Sequence, residues 1–154
     1  MPIVEYTVQK HSILGNMIPQ LIDNQPLSVL HFCYALQAGF PSPAADHTQK
    51  RIDLNDHLIR NKEATFLFRV KGDSMTGIGI YEGDTLLVDR SIEPRHNAIV
   101  LAVLNNEFTV KRLHRRGGVI KLMPENPLYP PILLKSGEEL SVWGVVTFNL
   151  HKLY

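Results

Sequence analysis

A chain of 154 residues, 44% hydrophobic and 20% charged, is long enough to bury one core and too apolar for global disorder. Sixteen Lys and Arg against fifteen Asp and Glu leave a net charge of +1. That near-balance removes the electrostatic case for a dedicated nucleic-acid or membrane-surface binder, so little direct DNA binding is expected. The longest aliphatic run, Ala98 to Leu104, falls far short of the roughly 20 residues of a membrane-spanning helix. Met1 to Gly15 has no basic region followed by an apolar block, so no secretory signal is expected and the cytoplasm is the expected compartment. A single cysteine, Cys33, offers no intramolecular disulfide, and the histidines show no metal-type spacing; neither metal nor cofactor is expected.

In chain order, residues 1–50 read as an N-terminal arm. Pro19 and Pro26 interrupt any long helix, Pro26 to Phe32 suits one short amphipathic element, and no helix-turn-helix pattern is legible. Pro41 and Pro43 push Phe40 and Ser42 into extended geometry, which suits a linker or a peptide lying in a cleft. Residues 51–154 read as a β-rich domain. Asp53 is a candidate N-cap for a short helix, Leu54 to Arg60. Strands are expected at Thr65–Val70, with Phe66, Phe68 and Val70 on one face, then at Thr85–Asp89, Ala98–Leu104, Phe108–Leu113, Val119–Met123 and Leu140–Phe148. Asn105-Asn106 and Gly117-Gly118 tolerate positive φ and suit two-residue hairpin turns. Met123 to Pro131, with four prolines, reads as a surface loop. The fold class is mainly β with short helical pieces.

Two residues stand out chemically. Ser74, in Gly72-Asp73-Ser74-Met75, follows a strand and enters a glycine-punctuated turn, where backbone amides can converge on one point. A serine beside glycines is most often a turn residue, so this signal alone is weak. Lys111 is more unusual. An Asn105-Asn106 turn places it opposite Val100, with Ala98, Ala102, Thr109 and Leu113 as same-face neighbours, and the other face is apolar too. Such a lysine either snorkels to the rim or is buried; burial without a carboxylate lowers its pKa and makes it a general base. A serine hydroxyl needs such a base, and Ser-Lys pairs can replace the Ser-His-Asp arrangement.

Gly72-Asp73-Ser74-Met75, Gly83-Asp84, Val88-Asp89 and Phe108-Thr109-Val110-Lys111 together resemble the LexA/UmuD family of self-cleaving Ser-Lys proteases, the S24 peptidases. Ala38 to Asp46, followed by Gln49 to Asn55, resembles the UmuD branch. The resemblance implies that Ser74 is the nucleophile, Lys111 the general base, and Ala38–Gly39 the bond cut in the chain itself. The amides of Asp73 and Ser74 are candidate oxyanion donors, while Asp84 and Asp89 are expected to fix turns. Ala38 fits a narrow pocket and Gly39 allows close approach of the backbone.

The resemblance further implies a protein of the bacterial SOS response to DNA damage. A RecA–single-stranded DNA filament would promote self-cleavage by populating the conformer with the bond in the cleft. The shortened homodimer would then assist a Y-family polymerase, a UmuC-like subunit, in error-prone translesion synthesis. Alternatives are a non-enzymatic polymerase-interacting modulator, a phage-type repressor C-terminal domain and a signal peptidase. The absence of an anchor and of a helix-turn-helix counts against the last two. Leu140 to Val146 suits either a core or a dimer interface, and His114-Arg115-Arg116 reads as a solvated hairpin tip.

Overall fold

Alternating apolar residues after Thr65 build the main sheet of the computed structural model, which describes residues 28–32, 49–134 and 140–154. These residues fall into two compact units, 28–60 and 61–154. In the smaller unit, β1 (Ser28–Phe32) pairs antiparallel with β2 (Gln49–Asp53), from Ser28 opposite Asp53 to Phe32 opposite Gln49. The strand β1 occupies the short amphipathic element noted in the sequence at Pro26 to Phe32, and β2 spans the expected junction between arm and body. The N-cap Asp53 accepts a 2.9 Å hydrogen bond from the Asn55 amide and opens α1 (Leu54–Leu58). This helix ends at Leu58, two residues earlier than expected, because Ile59 turns to extended backbone.

The larger unit contains β3 (Thr65–Arg69), β4 (Thr85–Asp89), β5 (Ile99–Leu104), β6 (Glu107–Arg116), β7 (Val119–Met123), β8 (Ile132–Leu133) and β9 (Leu140–Leu150). They form one antiparallel sheet in the order β3-β4-β9-β5-β6-β7-β8. The mainly β expectation holds, and Val100 lies opposite Lys111 as the turn argument requires. Asn105 and Asn106 both take positive φ, 50° and 65°, which lets two residues reverse the chain in step with strand twist. The Gly117-Gly118 turn is equally tight, so β6 stays paired to Arg116 instead of ending at Leu113. The two-residue strand β8 was not foreseen; it follows the proline-rich segment and pairs with β7 at the sheet edge.

Both faces of the sheet carry core. On one, Val100, Ala102, Leu113, Leu122, Leu140 and Val142 are buried together. On the other, Met75, Ile80, Leu86, Val88 and Leu101 are buried, with Phe68, Val70, Phe108 and Trp143 packed against them. Each fully buried Leu or Val contributes about 1.5–3 kcal/mol relative to exposure. Leu140 and Val142 therefore belong to the core. β9 lies between β4 and β5, with register shifts at Leu87/Val88 and Leu101/Ala102. Gly144 permits the close approach there: a Cβ on it would stand 2.7 Å from Val88 Cγ1.

Asp84 ties the turn before β4 to the end of β9. It is buried and accepts from the Tyr81 amide and Asn149 Nδ2, both at 2.8 Å, and from His151 Nδ1 at 2.5 Å. Burial alone would raise its pKa, but the hydrogen bonds and the His151 charge outweigh it and hold the carboxyl below its ordinary value. A lowered folded-state pKa means stability present above about pH 4 and lost as the pH falls through the folded value. Asp84→Asn is expected to cost about 1–3 kcal/mol in urea unfolding at pH 7. It should also flatten the acid limb of the stability–pH curve; an unaltered acid limb would contradict this account.

Candidate active site

Ser74 sits in the connection between β3 and β4. The connection is pinned at its root, where the Val70 amide donates to Asp84 O (2.9 Å) and the Gly83 amide to Val70 O (3.0 Å). Gly72 takes φ +87°, which turns the chain out of β3 immediately before the serine. A short 3-10 turn, Thr76–Ile78, follows and ends on Gly79 in the left-handed region. Among the described residues, the amides of Asp73 and Ser74 donate to no protein acceptor, which leaves both available to a bound group.

Lys111 comes from the middle of β6, where alternation directs it to the face of Thr109 and Leu113. It is 8% exposed, so the amine is buried and does not snorkel to the rim. Its Nζ lies 2.8 Å from Ser74 Oγ, 2.9 Å from Thr109 Oγ1 and 2.9 Å from Val110 O. Among the described residues no carboxylate pairs with it. Desolvation therefore lowers its pKa from the ordinary lysine value with no counter-charge to restore it. All three oxygens can accept from the amine; once it is neutral, two N–H groups suffice for the Val110 carbonyl and the Thr109 hydroxyl, and the lone pair is free to accept from the Ser74 hydroxyl. The arrangement can take the serine proton.

A cavity of about 250 Å³ opens beside the pair, lined by Phe68, Val70, Met75, Leu101 and Phe108 as well as Ser74 and Lys111. It is largely apolar and can take the side chains of an extended peptide. Of the residues singled out from sequence, Ser74 and Lys111 meet; Asp73 flanks them. Asp84 immediately precedes β4 and Asp89 ends it; each fixes the adjoining turn, Asp89 accepting from the Ser91 amide at 2.7 Å and its hydroxyl at 2.6 Å. Ala38, Gly39 and Cys33 lie outside the described residues. Among the described residues no histidine bonds to Ser74, and no group of His, Cys, Asp and Glu is placed to hold a metal. No helix there is long and apolar enough to cross a membrane.

Thr109 was not assigned a role from sequence, although its place two residues before Lys111 on one strand face is the signal that finds it. The expected surface loop Met123–Pro131 is also more than that. Pro127 to Pro131 are exposed, but Glu125 and Asn126 are half-buried and bond to the serine turn.

The site and sheet thus define a β-rich protein with a serine hydroxyl against a buried, unpaired lysine amine. The Peptidase S24-like family model matches residues 31–147, and the chain belongs to that family. It is 48% identical over 115 residues to Protein SamA of Salmonella typhimurium, covering 75% of this chain and 79% of SamA. It is 40% identical over 124 residues to Protein MucA of Escherichia coli, covering 80% and 84%. With the LexA repressor of Bordetella avium it shares 41% identity over 108 residues, 70% of this chain and 50% of the repressor. These relatives agree with the LexA/UmuD resemblance read from the motifs, on the UmuD-like side.

The buried amine has a measurable signature. With its folded-state pKa below the unfolded value, the unfolded chain binds more protons between the two, so stability rises with pH across that window. Lys111→Met is expected to remove this rise and to increase stability at pH 7 by about 1 kcal/mol. Denaturant unfolding from pH 6 to pH 10 measures both; an unchanged slope would place the amine in water.

Proposed function

We propose that this protein is a self-cleaving serine endopeptidase in which Ser74 is the nucleophile and Lys111 the general base. One observation carries the reading: the Lys111 amine, buried and without a carboxylate, stands 2.8 Å from the Ser74 hydroxyl. Lys111 takes the hydroxyl proton as Oγ attacks the carbonyl carbon of the scissile bond. The amides of Asp73 and Ser74 receive the negative oxygen. The lysine ammonium then passes its proton to the departing amine, leaving an ester on Ser74 that water hydrolyses. The bond cut is Ala38–Gly39, assigned from its resemblance to the UmuD cleavage segment. Tethering makes a modest catalyst sufficient, since intramolecular placement can replace up to about 7–11 kcal/mol of barrier.

In this reading the protein serves the SOS response. A RecA–single-stranded DNA filament stimulates the cut, and the shortened homodimer assists a UmuC-like, Y-family polymerase in translesion synthesis. Its support is the family membership and the identity with SamA and MucA over most of both chains.

Intact mass spectrometry of the purified protein held near pH 10 tests the chemistry. Fragments split between Ala38 and Gly39 are expected to accumulate in the wild type. Ser74→Ala and Lys111→Ala are each expected to stay intact, a loss of at least about 100-fold by the usual weight of a general base. The wild-type rate should rise with pH and level off below the ordinary lysine range, as the depressed amine loses its proton. Cutting by either purified variant would remove the assignment.

A further inference from the structure

Of the serine turn's own bonds, Gly79 N to Thr76 O is 3.0 Å, and the others are longer: Thr76 N to Asp73 O is 3.3 Å, Ile78 N to Met75 O 3.2 Å and Ile80 N to Met75 O 3.4 Å. Stronger restraint comes from the segment after β7. The Glu125 amide donates to Ser74 O at 2.9 Å, and the Gly77 amide donates to Glu125 O at 2.7 Å. Asn126 Nδ2 donates to Asp73 O at 3.0 Å, and the Tyr129 hydroxyl donates to Asp73 Oδ1. Asp73, Ser74 and Gly77 are thus all tied to one short stretch of chain.

That stretch is anchored to the strand of the amine. The Glu125 carboxylate accepts from Arg112 Nε, and Arg112 NH1 donates to Asn97 O at 2.8 Å. Arg112 is the residue next to Lys111 on β6 and lies opposite Met123 of β7. A closed circuit results: Ser74 main chain, Glu125 main chain, Glu125 carboxylate, Arg112, Lys111. Gly77 provides an independent sign that this contact is built. Its φ is not in the left-handed region, so conformation does not demand glycine there. Space does: a Cβ would lie 2.2 Å from Glu125 O.

We propose that Glu125 is a positioning residue, clamped between Arg112 and the Gly77 amide, and that the segment it leads sets the separation of the Ser74 hydroxyl and the Lys111 amine. The proposal rests on the Ser74–Lys111 reading, and Glu125 touches neither reacting atom. It assigns to the proline-rich segment a role in the proposed reaction, for which its position outside the cleft gives no hint.

Gly77→Ala is the direct test, because it adds one uncharged methyl group at a φ outside the left-handed region and pushes on Glu125. Self-cleavage near pH 10 is expected to slow about 100-fold, the usual result of misplacing reacting groups by about an ångström. The second readout is the NMR titration of Lys111 in protein carrying 13Cε-lysine, recorded in the Ser74→Ala background so that the chain stays whole. Its midpoint should move up toward the ordinary lysine value when Gly77→Ala is added, as water enters between turn and strand. Glu125→Gln, which keeps an acceptor for Arg112, should cleave within about threefold of wild type, whereas Glu125→Ala should lose about tenfold, by the weight of one charge-assisted hydrogen bond. If Gly77→Ala does not fold, the double variant Asn126→Ala, Tyr129→Phe removes two ties from the surface and should also slow cleavage about tenfold.

An unchanged rate with an unchanged Lys111 titration would overturn the proposal. So would a slowed rate with the titration unmoved, since the clamp would then act on something other than the hydroxyl–amine separation. A wild type that never cleaves, but whose Lys111 titration still moves with Gly77→Ala, would support the clamp and remove the protease reading instead.

Discussion

A lysine amine held out of water without a negative partner is the constraint around which this structure is arranged. An ammonium in that place would be costly, and burial without a carboxylate shifts the balance toward the neutral form while three oxygens satisfy the amine's hydrogen bonds. One of those oxygens, Thr109 Oγ1, comes from the same strand face, and another is the carbonyl of the preceding residue, so β6 satisfies most of its own lysine. The third comes from a different connection altogether. The sheet must therefore bring the β3–β4 turn to the middle of β6, and its two apolar layers are what make that placement rigid.

The geometry also explains why a basic amine suits this site better than an imidazole. A histidine would bring a second ring nitrogen that must be paired, usually by a buried acid. A lysine needs only buried surroundings for its stem, and here its cross-strand partner Val100 and its β6 neighbour Leu113 are both fully buried. The cost is that its depressed pKa depends on exclusion of water, which makes packing around the site part of its chemistry.

Much of this was legible in the sequence where the signal is local. The hairpin at Asn105-Asn106 fixed the register of Lys111 because two residues able to take positive φ leave little choice of turn. The N-cap Asp53 and the strands β4 and β7 were equally readable from cap chemistry and alternation. Ser74 was harder, since a serine among glycines is ambiguous until the register of a distant lysine and the family motifs are added. What escaped was non-local. Nothing in the sequence around Glu125 shows that its backbone bonds to residues some fifty positions earlier, because main-chain hydrogen bonds leave no trace in side-chain type. β8 escaped for a related reason: two residues are too few to display a period.

The place of β9 in the sheet has a consequence in time. Strands β4 and β5 do not pair with each other; each pairs with β9, the last strand in sequence. A chain emerging from the ribosome can form the β5–β6–β7 hairpins as they appear, with the lysine already in register. The β3–β4 hairpin, with the serine in its connection, forms separately, and no sheet bond joins the two pieces. Residues 140–150, the last strand to be made, lie between the halves and join them into one sheet. Lys111 precedes the start of β9 by 29 residues and Ser74 by 66, so both groups are made before the strand that joins their hairpins into one sheet.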